Sequence, residues 1–150
     1  MTGEIMRLAD IGVTNFLSGM AEGVDVWASV IVLALREKNP RIKLHCILPY
    51  KTQADNWNFT SQALYHSILE QADSVVYVSR QYHKTCMMER NRFMVDHSDI
   101  LLGVCRKVPR SGAMATINYA RKVQREIIIV DPFTRRLIYE NPATDSVSDQ

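Results

Sequence analysis

The stretch Val13-Thr14-Asn15-Phe16-Leu17-Ser18-Gly19-Met20-Ala21-Glu22-Gly23-Val24-Asp25 decides the fold, together with the amphipathic segment Val26 to Lys38 behind it. Val13 to Leu17 is a short apolar run of strand type. The octet Ser18 to Asp25 then supplies a glycine turn, and Val26 to Lys38 follows as a helix. Strand, glycine turn and helix in that order place backbone N–H groups where an anion can approach them. The helix points its positive end at the same place. The plainer reading is a tight turn whose glycine packs against the sheet. Asp25 could cap the helix.

Working outward, the same alternation repeats. Gly3 to Ile11 reads as a short helix ahead of the first strand. Trp27, Val30, Ile31, Ala34 and Leu35 recur with helical spacing and predict the apolar face of the helix after the turn, with Trp27 in the core. Asn39-Pro40 ends that helix. Ile42 to Leu48 is a second strand, Tyr50 to Phe59 a loop and Thr60 to Gln71 a helix. Ser74 to Ser79 is a β-branched and aromatic strand. Gln81 to His97 is helical, Ile100 to Cys105 a fourth strand and Arg106 to Ser111 a basic loop. Gly112 to Val123 is a helix, Glu126 to Val130 a fifth strand and Leu137 to Tyr139 a short edge segment.

Apolar strands alternating with helices predict an α/β, Rossmann-like three-layer fold. Its mainly parallel sheet has about five strands, with helices on both faces. Residues 1–140 form one domain, and the polar tail 141–150 is expected to be disordered. Ligands of such sheets bind outside the carboxyl ends of the strands. Ser18 to Asp25, the residues from Pro49 on, and Arg106 to Thr116 converge on that edge.

Composition narrows the function classes. The 150 residues carry a net charge of +2, 47% hydrophobic residues and 23% charged residues. A chain of this length buries roughly 70% of its unfolded surface and needs no metal or disulfide staple. The modest charge does not suit a nucleic-acid binder, so nucleic acid is not an expected partner. The three cysteines are widely spaced and never form C-x-x-C, which reads as reduced cytosolic thiols. Val26 to Leu35, the longest apolar run, is too short to span a bilayer. The expectation is a cytoplasmic protein without a membrane partner.

Three segments together resemble a known family. They are Ser18 through Ala28, then Cys86-Met87-Met88-Glu89-Arg90-Asn91-Arg92-Phe93-Met94-Val95-Asp96-His97-Ser98-Asp99, then Asn118-Tyr119-Ala120-Arg121-Lys122 leading to Arg125 through Pro132. In this order they are similar to the YpsA-like branch of the Smf/DprA–LOG (SLOG) Rossmann-like superfamily, from about Ile5 to Pro132. The resemblance implies binding of nucleotides, NAD-derived molecules or nucleic acid. Some members sense nucleotide signals in bacterial immunity, LOG enzymes cleave a nucleotide N-glycosidic bond, and the YpsA-like branch is linked to cell division.

Two departures from the family pattern stand out. The family's usual first strand, with a Thr-Gly-His-Arg-Pro-like turn, does not precede the helix in which Met1 falls, so the expectation is either a natural short form that completes its sheet differently or a truncated start. An open sheet edge invites pairing with another chain, so a homo-oligomer is expected. The second departure is Ser111-Gly112-Ala113, where the family has Gly-Gly-Thr; Thr116 still matches. The glutamate of the LOG motif Pro-Gly-Gly-x-Gly-Thr-x-x-Glu has no counterpart between Ala113 and Ala120.

The resemblance implies a ligand cradle made of Ser18, Gly19, Met20, Gly23, Asp25, Arg90, Asn91, Ser111, Gly112 and Thr116. Gly19, Met20, Gly23 and Gly112 would supply close backbone; Arg90, Asn91, Ser111 and Thr116 would hold phosphate or ribose; and Asp25 would accept hydrogen bonds from a ribose or base, unless it only caps the helix. Arginine forks suit phosphate, although Arg90 could instead pair with Glu89, Asp96 or Asp99. Trp57 lies in a loop near this edge. No metal ligand set is found, and Asp25 is the sole candidate for catalysis.

The expected function is capture of a small nucleotide or an ADP-ribose-type ligand for sensing or sequestration, with no cofactor beyond the bound nucleotide. The alternatives are a nucleotide N-glycosidase or hydrolase, and a cell-division-linked interaction module with a vestigial pocket and a protein partner.

Overall fold

The computed structural model describes residues 1–105 and 111–142; the basic loop at 106–110 and the tail at 143–150 lie outside the described residues. The chain divides into two compact units, the first Met1–Arg90 and the second from Asn91 on.

The first unit runs α1 (Thr2–Asp10), β1 (Asn15–Ser18), α2 (Val24–Lys38), β2 (Lys43–Leu48), α3 (Phe59–Gln71) and β3 (Ser74–Tyr77). Its strands lie in the order β1-β2-β3. Both pairs are parallel, with Ser18 opposite Cys46 and Cys46 opposite Val75. Helix α4 (Cys86–Asp96) begins in this unit and crosses its boundary. The second unit holds β4 (Ile100–Val104), α5 (Gly112–Lys122), β5 (Glu126–Val130) and β6 (Leu137–Glu140). Strand β4 pairs parallel with β5, and β6 returns antiparallel. Asp131 starts that return, its carboxylate accepting the Phe133 and Thr134 amides at 2.8 and 3.2 Å.

The α/β Rossmann-like class holds. The strands, however, form two hydrogen-bonded sets of three where one mainly parallel sheet of about five was expected.

Strand composition follows from position. Successive residues of a strand face opposite sides of its sheet. Cys46, Ile47 and Leu48 of β2 are all buried, as are Ile127, Ile128, Ile129 and Val130 of β5. Both faces of each middle strand are therefore covered, which is why they read as continuous apolar runs. Edge strand β3 leaves Val76 and Tyr77 exposed.

Helix α2 corrects the expected face. Val26, Ser29, Val32 and Leu33 are buried, whereas Trp27 is 61% exposed. The helix is apolar nearly all round, so its spacing fits more than one stripe, and the packed stripe is the one carrying Ser29. Helix α4 starts at Cys86, not near Gln81: Ser79 Oγ donates to the Gln81 carbonyl at 2.8 Å and turns the chain there instead. Met87 of this helix is 39% exposed.

Candidate functional site

The β1–α2 loop stands at the carboxyl end of β1, as expected for a parallel sheet. Ser18 begins it. Its Oγ donates to the Asp25 carbonyl and accepts the Met20 amide, each at 3.2 Å, so the loop closes on itself. Met20 takes a left-handed backbone, φ 54°. For an L-residue this costs about 1–2 kcal/mol. Burial of its side chain offsets that cost: Met20 is wholly inaccessible, with Ser29 Oγ 3.2 Å from its sulfur.

Gly19 is a glycine for another reason. A Cβ there would lie 2.6 Å from Arg90 Nη1 and 2.7 Å from Arg90 Cζ. Arg90 approaches so closely because its Nη1 donates to the Gly19 carbonyl. Gln53, from the β2–α3 loop, donates to the Met20 carbonyl at 3.1 Å, with the Gly19 carbonyl at 3.5 Å. Two consecutive carbonyls are thus held inward by buried side chains from distant parts of the chain.

Asp25 does not cap α2. The N-cap is Gly23, φ 96°, and among the described residues no side-chain cap bond closes the start of α2. Asp25 sits in that turn and reaches back to accept the Ala21 amide at 3.3 Å. Burial raises its pKa above the ordinary carboxyl value; the Arg90 charge and the Ala21 and Gly19 amides oppose the rise. Burial lowers the pKa of Arg90, against the pull of Asp25, Cys86 and Tyr65. Arg90 is only 3% exposed. Buried and bonded to the Gly19 carbonyl, it acts as an internal clamp on the loop.

Beneath the loop, burial pushes the Tyr65 hydroxyl up to about 12 and the Cys46 thiol up to about 12. Tyr65 Oη and Gln53 Oε1 are buried without hydrogen-bond partners, although Gln53 is near enough to favour the Tyr65 phenolate. Trp57, half-buried, packs edge-on against Tyr65 at 5.1 Å.

The remaining expected site residues belong to the second unit. Ser111 caps α5, its Oγ accepting the Met114 amide at 3.1 Å. Thr116 Oγ1 donates back to the Gly112 carbonyl at 3.0 Å. Nothing lies within 4 Å of a Cβ at Gly112, and Asn91 is half-buried in α4. Among the described residues no three His, Cys, Asp or Glu side chains gather to hold a metal. No described helix is long and apolar enough to cross a membrane.

The structure thus brings together Ser18, Gly19, Met20, Gly23, Asp25 and Arg90, and adds Gln53 and Tyr65, which sequence reasoning missed. Their one signal was position: both follow β2, whose carboxyl end was expected at the ligand edge.

Comparison with known proteins agrees with this architecture. The YpsA family model, described as the YspA SLOG family, matches residues 1–131. The UPF0398 protein BH1768 of Halalkalibacterium halodurans is 31% identical over 137 residues, 90% of this chain and 70% of that protein. The SPbeta prophage-derived protein YoqJ of Bacillus subtilis is 29% identical over 120 residues, 72% of this chain and 70% of YoqJ. Other UPF0398 relatives are spanned over only about half their length. DNA processing protein A from Helicobacter pylori, which has a single-stranded DNA binding mode, superposes with a TM-score of 0.60 and 18% identity, covering 99% of this chain and 63% of that one. With the family model matched along most of its length, the chain belongs to the YpsA family of SLOG proteins.

Proposed function

We propose that this chain binds a small nucleotide or an NAD-derived, ADP-ribose-type molecule at the carboxyl edge of β1, β2 and β3. One observation carries the reading. Helix α2 has no side-chain cap, and the two carbonyls ahead of it are held inward by Arg90 and Gln53. Clearing carbonyl oxygens from the approach and leaving first-turn amides uncapped favours an anion. In this reading phosphate meets the backbone between Glu22 and Val26, Asp25 faces sugar or base, and Arg90 sets the loop without touching the ligand. Ser111, Gly112 and Thr116 keep a secondary place, since their polar groups serve α5 itself.

Binding suits sequestration or sensing better than turnover, because the segment Ala113 to Ala120 carries no glutamate to match the LOG motif. YoqJ, by name a prophage product, fits the sequestration variant, in which a mobile element removes a nucleotide signal.

The test is thermal denaturation with ADP-ribose, NAD, AMP and ATP. A ligand at a hundredfold its Kd adds roughly 2.7 kcal/mol and raises the melting temperature by several degrees. No shift with any of the four at millimolar concentration overturns the reading.

A second reading is binding of single-stranded nucleic acid. Its support is the structural likeness to a DNA processing protein with that binding mode, and the net charge of +2 weakens it. An oligonucleotide titration at two salt concentrations separates the two, since only strand binding falls steeply with salt.

A further inference from the structure

Outside the β1–α2 loop, the same edge carries an aromatic pair that no motif singled out. Tyr50 follows β2, and Tyr82 lies in the loop between β3 and α4. Their ring centroids are 5.4 Å apart at an interplanar angle of 77°. Backbone bonds hold the two loops together beyond the strands: the Val78 amide donates to the Leu48 carbonyl at 2.9 Å, and the Ser79 amide to the Pro49 carbonyl at 3.1 Å. Ser79 Oγ then fixes the turn into Tyr82 through the Gln81 carbonyl.

This pair is coupled to the β1–α2 loop. Gln53, three residues after Tyr50, donates to the Met20 carbonyl. Arg90, eight residues after Tyr82, donates to the Gly19 carbonyl. Both segments that carry the tyrosines are therefore tied to the proposed anion site. Neighbouring strands lie about 4.8 Å apart, so β1 to β3 spans about two strand spacings, a separation comparable with that between the base and the phosphate of a nucleotide.

Tyr82 is 67% exposed while Tyr50 is half-buried. In an edge-to-face pair, one ring meets the other with its rim. Whichever ring supplies the rim, at least one face of Tyr82 is clear of Tyr50. A surface aromatic held by a half-buried partner, with a face in solvent, is what base stacking uses. Arg80, Lys84 and Lys51 are exposed near the pair in sequence.

We propose that Tyr82, braced by Tyr50, is the platform on which the base of the bound nucleotide stacks, its phosphate lying at the β1–α2 loop. The inference rests on the nucleotide reading above and specifies it: the ligand has an unsaturated base and binds in a fixed direction across β1 to β3.

The test titrates the full chain and its Tyr82→Ala and Tyr82→Phe variants with ADP-ribose by calorimetry, using ribose 5-phosphate as a base-free competitor. Stacking predicts that Tyr82→Ala weakens ADP-ribose about tenfold at an unchanged melting temperature. Tyr82→Phe restores binding, and the inhibition constant of ribose 5-phosphate stays the same across all three proteins. If Tyr82→Ala binds ADP-ribose as tightly as the parent, the platform is refuted and the nucleotide reading stands. If Phe fails to rescue, or both probes weaken together, Tyr82 acts through loop structure and the platform is refuted. If the parent binds no nucleotide, both readings fall. A thymidine oligomer that binds through Tyr82 while ADP-ribose does not bind overturns the proposal in favour of a strand.

Discussion

The β1–α2 and β4–α5 junctions share one sequence grammar and come out differently. Each follows a parallel strand, contains glycine and opens a helix, and each resembles a phosphate cradle. At the second, Ser111 precedes Gly112, and its hydroxyl turns to the Met114 amide, closing the helix end from within. At the first, the N-cap is Gly23, which has no side chain to offer, and α2 stays uncapped. The glycines differ too. Gly19 is required by the Arg90 guanidinium, whereas Gly112 has open space around its missing Cβ. The presence of glycine is thus a weak guide to an anion site. What separates the junctions is where the neighbouring polar side chains are spent.

The sharpest way to break the comparison is to attack the clamp. Arg90→Ala removes a buried charge-assisted hydrogen bond and should cost about 2–3 kcal/mol, read as a lower midpoint in urea. Gly19→Ala should cost about 1–3 kcal/mol from overpacking. The two should not add: with the guanidinium gone, the new methyl has room, and a coupling of about 1 kcal/mol is expected in the double-mutant cycle. Additive costs would mean that Arg90 does not explain Gly19. Gly112→Ala, the control at the other junction, should be nearly neutral.

A smaller effect sharpens the contrast from the other side. Ser111→Ala removes a side-chain cap and should cost about 1 kcal/mol of stability. ADP-ribose affinity should change less than twofold, because the hydroxyl already serves Met114. A loss of binding larger than the loss of stability would return Ser111 to the cradle.

Much of this was legible in the sequence, and the failures have physical causes. The succession of strands and helices and the edge location of Ser18 to Asp25 follow from alternating apolar runs and glycine punctuation. Helix α2 misled because Val26, Trp27, Val30, Ile31, Val32, Leu33 and Leu35 surround it with apolar surface, so the period is visible and the phase is not. Arg90 was visible as a candidate, but its destination was not. It bonds a carbonyl 71 positions away, and nothing local distinguishes a clamp from a phosphate fork. Gln53 carried no signal beyond its place after β2, being a polar residue in a polar loop whose burial is set by tertiary packing.

The smallest effect concerns charge, and Asp25 and Asp73 should show it with opposite signs. Burial raises the pKa of Asp25 above 3.8, against the Arg90 charge and the Ala21 and Gly19 amides. The folded state then binds that proton more tightly than the unfolded state does. Stability linked to Asp25 is present at low pH and lost as pH rises through the ordinary carboxyl value towards the folded one. Burial also acts to raise Asp73, but the Leu44 amide and Arg36 outweigh it and hold the pKa below 3.8. Its contribution is present above the ordinary value and is lost as pH falls through the folded one. Asp25→Asn should therefore raise the melting temperature slightly at pH 7, with the gain shrinking towards pH 4, whereas Asp73→Asn should lower it at pH 7. If Asp25→Asn lowers the melting temperature at pH 7, attraction to Arg90 outweighs burial, and the carboxylate is a structural partner of the clamp rather than a group held ready for sugar or base.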